Sequence, residues 1–235
     1  IYWNQSQEAD QLKYEFVTVA AHKLRTPLTR IRWEIDALKE SSDPVKFREG
    51  LDRLNLSNSQ LIEITNTLLE AARTETSSYN YKKEEVDLAA VAQNLVTRYA
   101  PDIATKHLDV SVVPSPKVLV TGDIDRLTSV VEILLRNALT YTPEYGIIRL
   151  LVRQEGKRVR FSISDTGIGV APQHQGHIFS RFFRESRARL TDTEGLGLGL
   201  FMAKNIVTRH SGTIGVTSEG EHKGSTFWFT LPLRK

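Results

Sequence analysis

The chain has 235 residues, 40% hydrophobic and 25% charged, with 14 glycines and 8 prolines, a composition that suits one large or two small folded domains and excludes disordered or collagen-like chains. Thirty-one Lys and Arg against 28 Asp and Glu leave a formal charge of +3, too small and too evenly spread to mark a nucleic-acid-binding protein. Cysteine is absent, which removes disulfides, thiolate zinc sites and a cysteine nucleophile, and no apolar run approaches the roughly 18 residues of a spanning helix. The chain starts at Ile1 without Met, so a membrane tether is expected only through a segment upstream of it.

From about Gln5 to Glu40, Leu12, Phe16, Ala20, Leu24, Leu28, Ile31, Ile35 and Leu38 recur at intervals of four and three, which predicts one helix with a single apolar face. At about 100° per residue, His22 falls nearly opposite the centre of that face, among Thr18, Arg25, Thr26 and Thr29, so its imidazole is expected in solvent. Pro27 has no N–H to continue the helical ladder, and a bend is expected just past His22. Ser41-Ser42-Asp43-Pro44 reads as a turn with Asp43 as N-cap and Pro44 in the first helical position. The second helix carries Phe47, Leu51, Leu54, Asn58, Leu61, Thr65, Leu68 and Ala72, a coiled-coil seam whose polar Asn58 and Thr65 are candidates for fixing register. Two such helices do not cover their own apolar faces, which predicts a dimeric four-helix bundle; capping of the hairpin by the second domain is the alternative.

The polar, turn-rich stretch Thr74–Asn80 separates a hairpin of residues 1–76 from a second domain of residues 81–235. The hairpin has 10 basic and 12 acidic residues and the remainder 21 and 16, so the basic excess lies in the second part, a sign that suits a phosphate-rich ligand. There the pattern predicts a helix near Leu88 to Lys106, strands at Asp109–Val113 and Lys117–Val120, and a helix from about Asp123 to Tyr141. Strands at Ile147–Gln154 and Lys157–Ser164, a helix near Gly199–His210, and strands at Thr213–Ser218 and Ser225–Leu231 follow. This order predicts an α+β sandwich with a mixed sheet covered by helices on one face.

Four constellations in this domain carry chemistry. Asp165-Thr166-Gly167-Ile168-Gly169 ends an alternating strand, so the carboxylate is set to accept from an exocyclic amine while Gly167 and Gly169 permit close backbone approach. Gly195-Leu196-Gly197-Leu198-Gly199 opens a helix, and its amides with the helix N-terminus suit a polyphosphate. Asn137, on the helix Asp123–Tyr141, offers an amide oxygen of the kind Mg²⁺ takes alongside phosphate and water. The aperiodic stretch Val170 to Glu194, with Phe179, Phe182 and Phe183 among Arg181, Arg184, Arg187 and Arg189, reads as a functional lid whose arginines meet phosphate oxygens. His174 and His177 lack a third ligand and do not make a zinc site.

Taken in order, His22-Lys23-Leu24-Arg25-Thr26-Pro27-Leu28, Asn137, Asp165-x-Gly-x-Gly, Phe179-Ser180-Arg181-Phe182-Phe183-Arg184, Gly195-x-Gly-x-Gly and Gly224-Ser225-Thr226 resemble the boxes of a bacterial sensor histidine kinase. The resemblance implies a dimerisation and phosphotransfer hairpin joined to an ATP-binding domain, with Asp165 reading adenine, Asn137 holding Mg²⁺, and His22 accepting the γ-phosphoryl group. It implies further nucleotide contacts from Tyr141, Gly167, Gly169, Arg184, Gly195, Gly197, Gly199 and Thr226. It also implies a homodimer, a response regulator that takes the phosphoryl group on an Asp, no nucleic-acid partner, and a cytoplasmic site of action. Thr26, one turn after His22, is the residue expected to orient water for dephosphorylating the partner; a plain helix-bend residue is the alternative.

Three positions depart from the family pattern. Lys23 stands where an acidic residue usually follows the phospho-acceptor, Ile133 where a second Asn often lies, and Thr140 where a Lys is usual. The lid arginines and Lys204 are the cations available in place of that Lys. An ATP-holding dimeric regulatory scaffold or phosphatase with little kinase activity is the alternative to a working autokinase.

Overall fold

The structure, a computed structural model, describes residues 2–40, 43–75, 81–184 and 196–234, with the side chains of residues 2–16, 63 and 70–75 outside that description. The chain divides into two units, Ile1–Glu75 and Thr76–Lys235.

The first unit is a hairpin of α1 (Tyr2–Glu40) and α2 (Pro44–Glu75). Asp43 caps α2 as its sequence requires: its Oδ1 accepts from the Val45 N–H at 2.9 Å and its carbonyl from the Phe47 N–H at 2.9 Å. α1 runs through Pro27 without a break, and Pro27 itself is buried. Gly50 lets the helices close up, since a Cβ there would lie 2.5 Å from Leu38 Cδ2. Arg53 reaches across to Glu34 at 2.8 Å, an exposed pair that raises the Arg53 pKa. Much of the apolar surface stays open: Leu28 is 53% exposed, Phe47 45% and Leu51 43%. The Thr65 hydroxyl donates to the carbonyls of Leu61 and Ile62, both at 2.9 Å.

The second unit contains a five-stranded sheet in the order β2-β4-β5-β7-β6, from β2 (Asp109–Val112), β4 (Ile147–Glu155), β5 (Arg158–Asp165), β6 (Thr213–Thr217) and β7 (Ser225–Pro232). β2 runs parallel to β4 and the other neighbours are antiparallel, so the sheet is mixed. Strand alternation aims Leu150, Phe161, Ile163 and Phe229 at the helices α3 (Leu88–Arg98), α5 (Ile124–Tyr141) and α6 (Gly199–Arg209), whose Leu95, Leu134 and Ile206 complete a closed core. The other face carries Arg160 over the Trp228 ring at 4.2 Å, with Ser162, Ser164 and Thr226. The helices therefore lie on one side, as the pattern predicts.

Two elements differ from expectation. The helix read as Leu88 to Lys106 is two helices, α3 and the short α4 (Ala100–Thr105), because Pro101 occupies the first turn of a helix and cannot continue the previous one. A separate two-stranded antiparallel sheet joins β1 (Glu84–Asp87) to β3 (Leu119–Gly122). β1 has Val86 as its one fully buried side chain among charged neighbours, too little alternation to stand out.

Candidate functional site

On the hairpin, His22 projects from α1 into solvent together with Arg25 and Thr26, while Lys23 is half-buried. The Thr26 hydroxyl lies 3.5 Å from the His22 carbonyl, at the outer limit of a hydrogen bond, and Thr29 bonds the Arg25 carbonyl at 2.8 Å. Trp33, 69% exposed, lies about 20° from His22 around the helix and three turns further along.

In the second unit the groups gather where β5 ends. Asp165 Oδ1 accepts from the Gly167 N–H at 2.8 Å and Oδ2 from the Ser225 hydroxyl at 2.6 Å. Burial pushes the Asp165 carboxyl above its ordinary value, while the bonds from Ser225 and Gly167 pull it back. The residue is thus a half-buried acceptor held by two donors and able to take a third from a ligand. Gly167 is glycine because a Cβ would sit 2.6 Å from the Tyr141 carbonyl, and Gly169 because its φ is +71° with the Gly220 carbonyl against it. The turn between β6 and β7 backs this loop: His222 N–H donates to Ile168 O at 2.7 Å, Gly224 N–H to Gly167 O at 3.2 Å, and Val170 N–H to Ser218 Oγ at 3.0 Å.

α5 supplies an adjoining wall. Asn137 is half-buried, between Ile133 and Tyr141 at four-residue spacing, so the three share a face. Ile133 Cγ2 lies 3.3 Å from where a Cβ on Gly199 would be, which brings that face to the start of α6. Leu198, at the N-cap position of α6, makes no side-chain capping bond and the first turn has no acid, so the leading amides suit an anion. Gly197 has φ +69° and accepts the Phe182 N–H at 3.0 Å, and the Arg184 Cγ lies 3.1 Å from where its Cβ would be. Arg181 lies over the Phe201 ring at 4.6 Å, so the Phe179–Arg184 box is fastened to the glycine turn and α6.

Asn137, Tyr141, Asp165, Gly167, Gly169, Arg184, Gly197 and Gly199 thus line connected parts of one unit. Gly195, Arg187 and Arg189 lie outside the described residues. Thr226 does not join Asp165. Alternation puts it on the helix-free face of the sheet, where its hydroxyl pairs with Ser164 at 2.8 Å. Ser225 takes that place, and its position on the same strand face as Phe227 and Phe229 is the signal that finds it. Of the departures, Ile133 packs at the helix entry and Thr140 is half-buried; Lys204, a cation available in place of the usual Lys, is exposed on α6.

No described group of three or more His, Asp or Glu could hold a metal by itself. His174 and His177 instead meet the Phe183 ring at 5.5 and 6.3 Å. The Asn137 amide fits a cation that takes one protein oxygen and completes its shell with phosphate and water. Among the described residues no helix is long and apolar enough to cross a membrane.

A hairpin with an exposed histidine, followed by a sandwich with a half-buried acidic acceptor and a glycine turn at a helix start, is a phospho-acceptor domain joined to an ATPase domain. Residues 12–77 match the His Kinase A (phospho-acceptor) domain family and residues 122–235 the histidine kinase-, DNA gyrase B- and HSP90-like ATPase family, together about three-quarters of the chain. The chain belongs to the bacterial two-component sensor histidine kinases. The sensor histidine kinase WalK of Bacillus subtilis (strain 168) is 31% identical over 238 residues, covering 98% of this chain and 38% of WalK. The chain thus spans well under half the length of the curated relatives it matches. Full-length ShkA in complex with AMPPNP aligns with a TM-score of 0.68 at 26% identity, over 94% of this chain and 46% of ShkA. Histidine kinase ThkA in complex with its response regulator TrrA shares the fold, with a TM-score of 0.75 at 22% identity over 99% of this chain and 66% of that one.

Proposed function

We propose that the chain is an ATP-dependent protein histidine autokinase core. In this reading residues 1–76 are the dimerisation and phosphotransfer hairpin and residues 81–235 the ATP-binding catalytic domain. The half-buried Asp165 carboxylate, held by Ser225 and Gly167 with acceptor capacity to spare, is the observation that carries it. Asp165 accepts the adenine amine, Gly167 and Gly169 let the base approach the backbone, and Tyr141 closes the α5 side. The α6 amides from Gly199, with Gly195, Gly197 and Arg184, meet the phosphates. Asn137 gives an oxygen to Mg²⁺, which when bound supplies charge neutralisation at the phosphates.

Neutral imidazole is a competent nucleophile near its ordinary pKa of about 6.5. Attack by a His22 ring nitrogen forms an N–P bond while the bond from the γ-phosphorus to the bridging oxygen breaks and ADP leaves. The proton on the other ring nitrogen passes to water, since Lys23 brings no carboxylate. Exposure of His22 supports access by both the nucleotide and the aspartate of a response regulator. The open Leu28, Phe47 and Leu51 support a homodimer through the hairpin. The work is placed on the cytoplasmic side, where ATP and a regulator are available. A second reading, a nucleotide-holding regulatory scaffold or phosphatase with attenuated kinase activity, draws on Lys23 beside the acceptor and on the exposed Thr26.

The test is incubation of the chain with γ-labelled ATP and Mg²⁺, quenched in acid and in base. Base-stable, acid-labile label that disappears in His22→Gln, with ATP binding intact, is expected. Label retained in His22→Gln refutes the acceptor, and no label with ATP bound favours the scaffold.

A further inference from the structure

The nucleotide reading leaves the half-buried Lys106 unused. This residue follows α4, and its Nζ donates to the carbonyls of Leu139 at 2.7 Å, Thr140 at 3.1 Å and Thr142 at 3.3 Å. An α-helix leaves its last four carbonyls without helical partners and carries partial negative charge there. At the end of α5 the carbonyls from 138 to 142 are all occupied. The Thr142 N–H fills that of Ala138 and the Ile168 N–H that of Tyr141, and the ammonium takes the other three with its three protons.

The Tyr141 carbonyl, flanked in sequence by two that Lys106 holds, is the one on which the Asp165 loop hangs. It accepts from Ile168 at 3.3 Å, and Gly167 passes so close that it has no room for a Cβ. Gly167 in turn donates to Asp165 Oδ1. The other end of the loop is tied to the same region. The Lys106 carbonyl accepts the Tyr145 N–H at 3.1 Å, His107 stacks on Tyr145 at 5.1 Å, and Ile147 exchanges bonds with Thr166 at 2.9 and 3.1 Å.

We propose that Lys106 is a positioning residue for the nucleotide base: without touching ligand, its ammonium sets where Gly167 and Asp165 stand by holding the end of α5. The proposal rests on the nucleotide reading. It is confined to the base end, because the α6 amides that meet the phosphates are not in this chain of bonds.

The experiment uses the full chain and compares wild type with Lys106→Met, Lys106→Gln and Lys106→Arg, at a temperature well below every melting midpoint. Lys106→Met is expected to raise the Kd for ATP about tenfold, with Gln intermediate and Arg within about threefold of wild type. KM should rise in parallel while turnover at saturating ATP stays within about twofold. An unchanged Kd with only a lower melting midpoint makes Lys106 a helix cap and overturns the proposal. If the Met variant does not fold, the Gln variant decides by the same criterion. Failure of wild type itself to bind ATP sinks the nucleotide reading instead, so the two failures are told apart.

Discussion

The hairpin and the sandwich bury their apolar residues in opposite ways. In the sandwich, Leu134, Phe161, Ile163 and Phe229 have no exposed surface, so this unit satisfies its hydrophobic surface within one chain. In the hairpin, Leu28, Phe47, Leu51 and Ile62 keep about half of theirs, and among the described residues the buried positions are few and small, such as Ala20, Gly50 and Ser57. Two helices enclose only the strip between them, whereas helices laid on a five-stranded sheet enclose a volume. In the proposed function the self-sufficient unit carries the ligand chemistry, and the incomplete one the surface that a second copy and a partner would meet.

Removing a core side chain sharpens this contrast most. Phe161→Ala should cost about 3–5 kcal/mol by opening a cavity, read as a lower denaturation midpoint of the sandwich with the hairpin helicity retained. Equal loss of both units would show that they do not unfold separately.

The next largest effect separates binding from stability within the sandwich. Asp165→Asn should weaken ATP binding about a hundredfold, ~2.7 kcal/mol, because in the proposed function an amide nitrogen then replaces the acceptor for the adenine amine. Its effect on the unliganded protein has the other sign. The Asp165 carboxyl is held above its ordinary value, so the native state binds a proton where the unfolded state has lost it. That contribution is fully present below the unfolded value of about 3.9 and is lost as pH rises through the raised native value. The Asp165 contribution to unliganded stability should therefore fall, and its contribution to ATP affinity rise, over the range from the ordinary carboxylate pKa up to the raised one. Both contributions should be missing in Asp165→Asn, read as the difference between wild type and variant in calorimetry against pH.

A smaller effect belongs to the open face of the hairpin. Leu51→Glu should weaken self-association at least about tenfold, ~1.4 kcal/mol, in sedimentation equilibrium, with little change in ATP binding. An unaltered oligomeric state would place the dimer contact elsewhere.

Most elements were legible because burial imposes a period. The four-and-three spacing of α1 and α2 and the alternation of β4, β5 and β7 name their faces, and the Asp165 and Gly197 boxes sit at the element ends where such periods break. The break at Pro101 was equally local, yet helical periodicity on both sides concealed it. β1 was hidden because its pairing with β3 lies in backbone bonds that its charged side chains do not advertise.

The residue sequence by itself determined the order of the elements other than β1 and α4, the outward aim of His22 and the glycine positions, since each depends on neighbours within one or two turns. Only the tertiary structure decided that Ser225, not Thr226, meets Asp165, and that Lys106 closes α5 from 33 to 36 residues away. Those contacts arise from strand register and helix placement, which bring distant residues together through the common core and leave no period in the chain to mark them.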